Sequence, residues 1–335
     1  MAKFSLNSNH TLDKLDIPSL VADKVKCGNI DNISRTIFYA NFFTRHPEIK
    51  WAFLASMVSR NAGWCMTDLE GSLFKNVLTK KERNLLFLTY EDANWLIFSD
   101  ASPQLLLYEI SKATNTPLFN LLRRFNVSEF MIREWYEFWK NKNGQRLLTS
   151  LIINEQNLIQ RPVLQNKLFK KFVFKTFPYK FQDFMHFSTI IFPTLDGELY
   201  GFSVHGFLYL KNRIELGKRL SWLLFHPCYF QEFLRFSTTV VHTGSRYDFE
   251  KHVLHNSKRS TPFLRTTYPE VTHHIDEKDR NWFHGQSLNK FYHYPRIPKK
   301  IEITEWYLKK QQQLKLLAIV EEYLNVRKHK PEEHP

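Results

Sequence analysis

The stretch Trp51-Ala52-Phe53-Leu54-Ala55-Ser56-Met57-Val58-Ser59 carries no charged side chain, and its bulky residues occupy every side of a helix. At about 100° per residue, Phe53 and Met57 face away from Trp51 and Leu54. A helix that is apolar all round must be surrounded by other elements. We therefore predict a core helix over 47–62, with Pro47 in its first turn and Gly63 at its end.

Helix signals extend outward from this core in both directions. Thr67-Asp68-Leu69-Glu70 and Thr79-Lys80-Lys81-Glu82 have the capping-box spacing, which satisfies free backbone donors at a helix start. Further helices are predicted at 31–45, 68–78, 80–98, from Asp100, from Thr116-Pro117, from Ser128, and at 145–160, 162–177, 206–224, 229–241 and 302–327. The short connections indicate a mainly α protein built as an antiparallel multi-helix array.

Two apolar runs interrupt the helical pattern. Residues 188–192 and 198–204 flank Leu195-Asp196-Gly197, which predicts a small β-hairpin near 188–204. We expect a loosely held lead-in over 1–18, one helical domain over 19–330 with long ordered loops at 242–300, and a tail at 331–335.

The charge is unusually basic, with 47 Lys and Arg against 33 Asp and Glu in 335 residues. The C-terminal part from 151 onward carries +10 of the net +14, which favours anionic partners such as nucleic acid, anionic lipid or an acidic protein. Arg161 to Lys180 holds six basic and no acidic residues among several aromatics. The predicted anion-binding residues are Lys167, Lys170, Lys171 and Lys175; alternatively, these lysines form a solvated helix face while the aromatics face the core.

The sequence lacks the motifs of several kinds of site and targeting signal. The three cysteines Cys27, Cys65 and Cys228 are scattered without a C-x-x-C pair, and the N-terminus lacks the apolar segment of a secretion signal, so we expect reduced thiols and a cytoplasmic location. No apolar run is long enough for a membrane span. The histidines lack any recognised metal-binding spacing and no phosphate-binding loop is present, so no metal and no cofactor are predicted.

Several strings of residues resemble the YppC-like family of Bacillus-type bacteria, classed as a domain of unknown function. They are His46 to Trp51, Leu54 to Trp64, Met66 to Leu69, Gln104 to Glu109, Leu151 to Asn157 and Gly244 to Asp248. Together they span about 40–250. The resemblance implies a bacterial, cytoplasmic protein and brings no catalytic residue, cofactor or substrate.

Polar residues in apolar surroundings are the candidate site residues. Glu155 projects from the apolar face of 145–160, and Arg60 ends the core helix in the interior, so each requires a partner of opposite charge. We predict that Glu155 pairs with Arg60 or Arg246, with Asp68 as another partner for Arg60 and Asn61 completing the cluster. Such a network either fixes the packing of the core or forms a ligand pocket.

The segment His242 to Asp248 can be interpreted in two ways. Gly244 and Ser245 precede Arg246, a composition that can bind an oxyanion, whereas a turn with an Arg246–Asp248 pair explains it equally. An enzyme would require a pocket that brings together Arg60, Asn61, Asp68, Glu155, Arg246 and Asp248.

Three functions follow from these features. The leading one is a noncatalytic or accessory protein that binds an anionic partner such as nucleic acid. The second is an enzyme that uses the polar pocket on a small anionic substrate. The third is a protein-interaction scaffold that uses the amphipathic C-terminal helix at 302–327.

Overall fold

The described part of the chain is mainly α-helical with one small β-hairpin, as predicted. The computed structural model describes residues 16–164, 189–203, 206–254, 258–273 and 282–328. The helices in these ranges are α1 (Ile17–Gly28), α2 (Asn32–Arg45), α3 (Lys50–Asp68), α4 (Ser72–Val77), α5 (Lys80–Thr114), α6 (Glu129–Asn141), α7 (Gly144–Leu158), α8 (Leu210–Leu224), α9 (Phe230–Thr239), α10 (Tyr247–Val253), α11 (Leu264–Thr267) and α12 (Thr304–Lys328). Short 3₁₀ helices cover Phe119–Phe125 and Asn289–Phe291, and a single π turn covers Gln160–Leu164.

The core helix α3 is buried along nearly its whole length, but its predicted limits are wrong. It begins at Lys50 and continues through Gly63 to Asp68. Gly63 allows close approach instead of ending the helix, because a side chain there would come within 2.9 Å of the His242 ring. Thr67 therefore lies inside α3, where its hydroxyl donates to the Gly244 carbonyl at 2.6 Å, and it caps no helix.

Helix α5 confirms one predicted start and refutes another. Thr79 and Glu82 form the predicted capping box, with Glu82 accepting from the Thr79 amide at 2.8 Å. Asp100 does not begin a new helix, because α5 continues through Pro103 to Thr114. The Asp100 carboxylate instead accepts bonds from Gln104 and Asn154, both at 2.6 Å, so it serves tertiary packing.

The hairpin pairs β1 (Thr189–Pro193) with β2 (Leu199–Ser203) in antiparallel register, Ile191 opposite Gly201. Asn61 holds it against α3, because its side chain donates to the Ile191 carbonyl at 2.6 Å and accepts from the Ile191 amide at 2.9 Å. The start of α12 joins the other edge, where the Ile303 amide donates to the Leu199 carbonyl at 2.8 Å.

Two apolar clusters form the described core. The larger joins α2, α3, α5, α6, α7 and α8, and the smaller surrounds Trp64, Phe249 and Tyr307 at the C-terminal end of α3. The region 242–300, predicted as loops, contains the short helices α10 and α11. Within the described ranges, every helix lacks the length of apolar sequence that a bilayer crossing requires.

Candidate functional site

Arg246 and Asp68 form a buried ion pair next to the C-terminal end of α3. The Arg246 Nε atom donates to both Asp68 oxygens at 2.7 and 2.8 Å, and Nη2 makes a shorter contact with Oδ2. Tyr307 extends the network, because its hydroxyl accepts from Arg246 at 3.3 Å and donates to Glu250 at 2.5 Å. Burial alone would lower the pKa of Arg246, but the Asp68 charge raises it well above its usual value.

Asp248 does not pair with Arg246, so the predicted Arg246–Asp248 pair is wrong. Its carboxylate accepts from the Trp64 indole at 3.2 Å and from the Thr243 amide and hydroxyl at 3.0 and 2.5 Å. Arg246 pairs instead with Asp68 of α3, which lies 178 residues earlier in the sequence. The neighbouring His242 is buried against Asn32, and this burial lowers the pKa of His242 to about 4.

Arg60 bonds to backbone carbonyls and not to the predicted carboxylate. It donates to the Val240 carbonyl at 2.9 Å and to the Ser237 carbonyl at 3.2 Å, and its guanidinium lies 5.6 Å from the centre of the Phe236 ring. Among the described residues, no carboxylate forms a salt bridge with it. Burial lowers the pKa of Arg60 to about 10. Its role is to hold the C-terminal end of α9 against α3, because the last carbonyls of a helix lack partners within the helix.

Glu155 is half-buried, and its predicted pairing with Arg60 or Arg246 is wrong. Its carboxylate accepts from the Trp51 indole at 3.0 Å and from the Gln156 amide at 3.1 Å, and no arginine in the described part of the chain bonds to it. Trp51 lies nine residues before Arg60 on α3, about 13.5 Å along the helix axis. Without a cation, burial raises the pKa of Glu155 to about 7.

The six predicted pocket residues therefore separate into groups. Asp68, Arg246 and Asp248 gather with Arg60 at the C-terminal end of α3, Asn61 holds the hairpin, and Glu155 lies towards the other end. None of the six lines the two clefts that lie on either side of the turn before α7. The four predicted anion-binding lysines, Lys167, Lys170, Lys171 and Lys175, lie outside the described residues.

A cleft at the N-terminal end of α7 collects positive and aromatic side chains. We call it the α7 cleft, and its volume is about 660 Å³. Its charged and aromatic lining residues are Lys50, Arg146, Lys218, Trp222, Phe225, Tyr292, His293 and Tyr294. Among the described residues, no Asp or Glu lines it. Its volume lies in the range of ligand clefts, and its lining mixes aromatic rings with many polar and charged side chains.

The basic residues of the α7 cleft differ in whether a carboxylate already neutralises their charge. Arg146 forms a bidentate pair with Glu134 at 2.8 and 2.7 Å, and Lys218 contacts Glu215 at 3.2 Å. Lys50 is exposed and no carboxylate in the described ranges pairs with it; its amine lies 5.1 Å from the centre of the Phe225 ring. An aromatic ring holds an ammonium group without cancelling its charge. Lys50 therefore supplies the surplus positive charge of this cleft.

A second cleft adjoins the first on the other side of the turn that precedes α7. We call it the α6 cleft; it has a volume of about 580 Å³ and is lined by Glu48, Tyr108, Lys112, Asn115, Phe138, Trp139, Lys142 and Gly144. Glu48 accepts from Lys112 at 2.6 Å and from Tyr108 at 2.8 Å. No described carboxylate pairs with Lys142, so it is the surplus cation of this cleft, and its amine lies 4.3 Å from the centre of the Trp139 ring.

Sequence reasoning missed both clefts because their residues come from distant segments. The one local signal was the mixture of Trp139, Lys142 and Arg146 around Gly144, where positive and aromatic side chains meet between two helices. Histidine is frequent from His186 onward, but of the described histidines only His293 lines a cleft. Among the described residues, no three His, Cys, Asp or Glu side chains cluster as metal ligands.

Comparison with known proteins identifies the family. Residues 28–310 match the family described as Protein of unknown function (DUF2515). The chain is 53% identical over 306 residues to the uncharacterized protein YppC of Bacillus subtilis (strain 168), covering 91% of this chain and 95% of that protein. No solved structure matches. The extent of both matches shows that the chain belongs to the DUF2515 family.

Proposed function

We propose that the protein is a noncatalytic, cytoplasmic protein that binds nucleic acid, with the α7 cleft as its contact. The observation that carries the proposal is the surplus charge of Lys50 in a cleft whose described lining contains four aromatic rings and no carboxylate. Phosphates are attracted by such cations, and unpaired bases stack on such rings. The net charge of +14 supports the same class of partner.

The polar residues near the C-terminal end of α3 favour a noncatalytic role. The Asp68 and Asp248 carboxylates already accept bonds from neighbouring side chains and backbone, which is the arrangement of a packed interior. A second contact with the same partner remains a prediction from the sequence; its residues are Lys167, Lys170, Lys171 and Lys175.

The experiment measures binding of a fluorescein-labelled oligothymidylate of twelve nucleotides by fluorescence anisotropy between 50 and 200 mM salt. For single strands the logarithm of the affinity falls with the logarithm of salt with a slope of about −0.7 per neutralised phosphate. Lys50→Gln is expected to weaken binding and to reduce this slope by about 0.7.

Lys251→Gln is the matched control. Lys251 is also exposed, but it lies on α10, whose Phe249 packs on Trp64. Trp64 is fourteen residues along α3 from Lys50, about 21 Å by the helical rise. Absence of binding by the wild-type protein at 50 mM salt, or equal affinity and slope for the two variants, would refute the proposal.

A further inference from the structure

We infer that the nucleic acid is single-stranded and that its path continues from the α7 cleft into the α6 cleft, with Lys142 and Trp139 as the second contact. This inference rests on the proposed function. It adds the strandedness of the ligand, a second pair of binding residues and a minimum length for full affinity.

The two clefts are separated only by one turn of the chain. Residues along this turn alternate between them, because Lys142 and Gly144 line the α6 cleft whereas Asn143, Gln145 and Arg146 line the α7 cleft. On the opposite wall, Glu48 lines the α6 cleft and Lys50 lines the α7 cleft. A strand that leaves one cleft across this turn therefore enters the other directly.

Each cleft offers the same pair of groups, a surplus ammonium and an aromatic ring below it. Lys50 lies over Phe225 at 5.1 Å and Lys142 lies over Trp139 at 4.3 Å. Within the described ranges neither amine pairs with a carboxylate, since Glu48 in the α6 cleft is taken by Lys112 and Tyr108. Two such pairs in adjoining clefts suit a nucleic-acid strand, in which phosphates and bases recur with every nucleotide.

The backbone at Lys142 fixes the position of the second pair. Lys142 has φ of 55°, in the left-handed region that glycine or asparagine usually occupies at the end of a helix. Its amide donates to the Phe138 carbonyl at 2.8 Å and so closes α6. This backbone conformation fixes where the Lys142 side chain leaves the main chain, beside Trp139. Such sparsely populated conformations are often found at functional sites.

Recessed rings discriminate against a duplex. Trp139 and Trp222 are only partly exposed and line concave surfaces. Paired bases present only their edges in the grooves of a duplex, whereas an unpaired base can turn its face towards a ring. We therefore expect a single strand to bind more tightly than a duplex of the same length.

The experiment compares oligothymidylates of three and twelve nucleotides, thymidine monophosphate, and a mixed-sequence twelve-base-pair duplex by anisotropy or competition. Lys142→Gln is expected to weaken binding of the twelve-nucleotide strand several-fold and to reduce its salt slope by about 0.7, while binding of the three-nucleotide strand is unchanged. Trp139→Leu is expected to weaken only the longer strand, by about fivefold or more. Lys140→Gln, an exposed lysine on α6 outside both clefts, is the control.

The outcomes separate this inference from the proposed function. If Lys142→Gln behaves like Lys140→Gln while Lys50→Gln still weakens binding, the extended path is wrong and the α7 cleft stands. If the duplex binds as tightly as the single strand, or the mononucleotide as tightly as the twelve-nucleotide strand, the strand assignment is wrong. If no oligonucleotide binds, both proposals fail. Far-ultraviolet circular dichroism of each variant establishes that it is folded.

Discussion

Replacing Asp68 by alanine is expected to lower the free energy of unfolding by about 3–5 kcal/mol, because it leaves a buried guanidinium without its counter-charge. The Asp68 and Arg246 side chains are only 8% and 6% exposed. The aspartate accepts every bond that Arg246 makes to a carboxylate in the described part of the chain. The Tyr307 hydroxyl, which accepts from Arg246 at 3.3 Å, carries no charge that could replace it. Glu250 lies beyond Tyr307 and can offset part of the loss, which favours the lower end of the range.

Urea unfolding followed by tryptophan fluorescence at pH 7 measures this loss. Arg235→Ala is the control, because Arg235 forms an exposed pair with Glu232 at 2.9 Å and its removal is expected to cost less than about 0.5 kcal/mol. The double variant Asp68→Leu with Arg246→Met is expected to recover much of the stability, since it removes both charges together. A single variant within about 1 kcal/mol of wild type would refute the reasoning, as would a double variant as unstable as the sum of the single changes.

Three further changes test other contacts by the same unfolding measurement. With the pKa of Glu155 raised to about 7, the unfolded state ionises first as the pH rises, so the wild type should lose up to about 3 kcal/mol between about pH 4.5 and 7. Glu155→Gln keeps an acceptor for Trp51 and should lack this loss; equal pH dependence in both proteins would contradict the assignment. Asn61→Ala should cost about 2–3 kcal/mol, because two backbone groups of Ile191 lose their partner; a neutral effect would show that the hairpin is held elsewhere. Glu82→Ala should cost about 1 kcal/mol by opening the capping box at Thr79; if Gln at this position is as damaging as Ala, the capping explanation fails.

Local patterns predicted the elements that depend on neighbouring residues. The capping box at Thr79 and the cap at Ser128 each satisfy backbone donors three residues away, so their signal is contained in four residues. The hairpin likewise follows from the turn at Asp196 and Gly197 between two apolar runs. Thr67 and Asp100 carry similar signals and fail, because Gly244 and Asn154 take their side chains into tertiary contacts.

Partners of buried charges could not be predicted in the same way. The sequence correctly indicates that Arg60 and Arg246 need compensation, but several acceptors satisfy that need. Arg246 pairs with Asp68 across 178 residues, whereas Arg60 uses the carbonyls that end α9. Choosing between a carboxylate and a helix end requires the relative position of α9, which no local pattern encodes.

The distribution of charge connects the fold to the proposed function. Six acidic side chains are buried in the described structure, namely Asp68, Glu91, Asp100, Glu134, Asp248 and Glu250, and six basic ones are buried with them, namely Arg35, Arg60, Arg83, Arg213, Lys218 and Arg246. This buried set is balanced, so it accounts for none of the net charge of +14, and the excess lies on the remaining residues. Charge outside the core is screened over about 8 Å at physiological salt. Under the proposed function, this distributed excess would attract the anionic partner to the surface. The place of binding would then be selected by cations that have no counter-charge among the described residues, such as Lys50 and Lys142, which lie over aromatic rings.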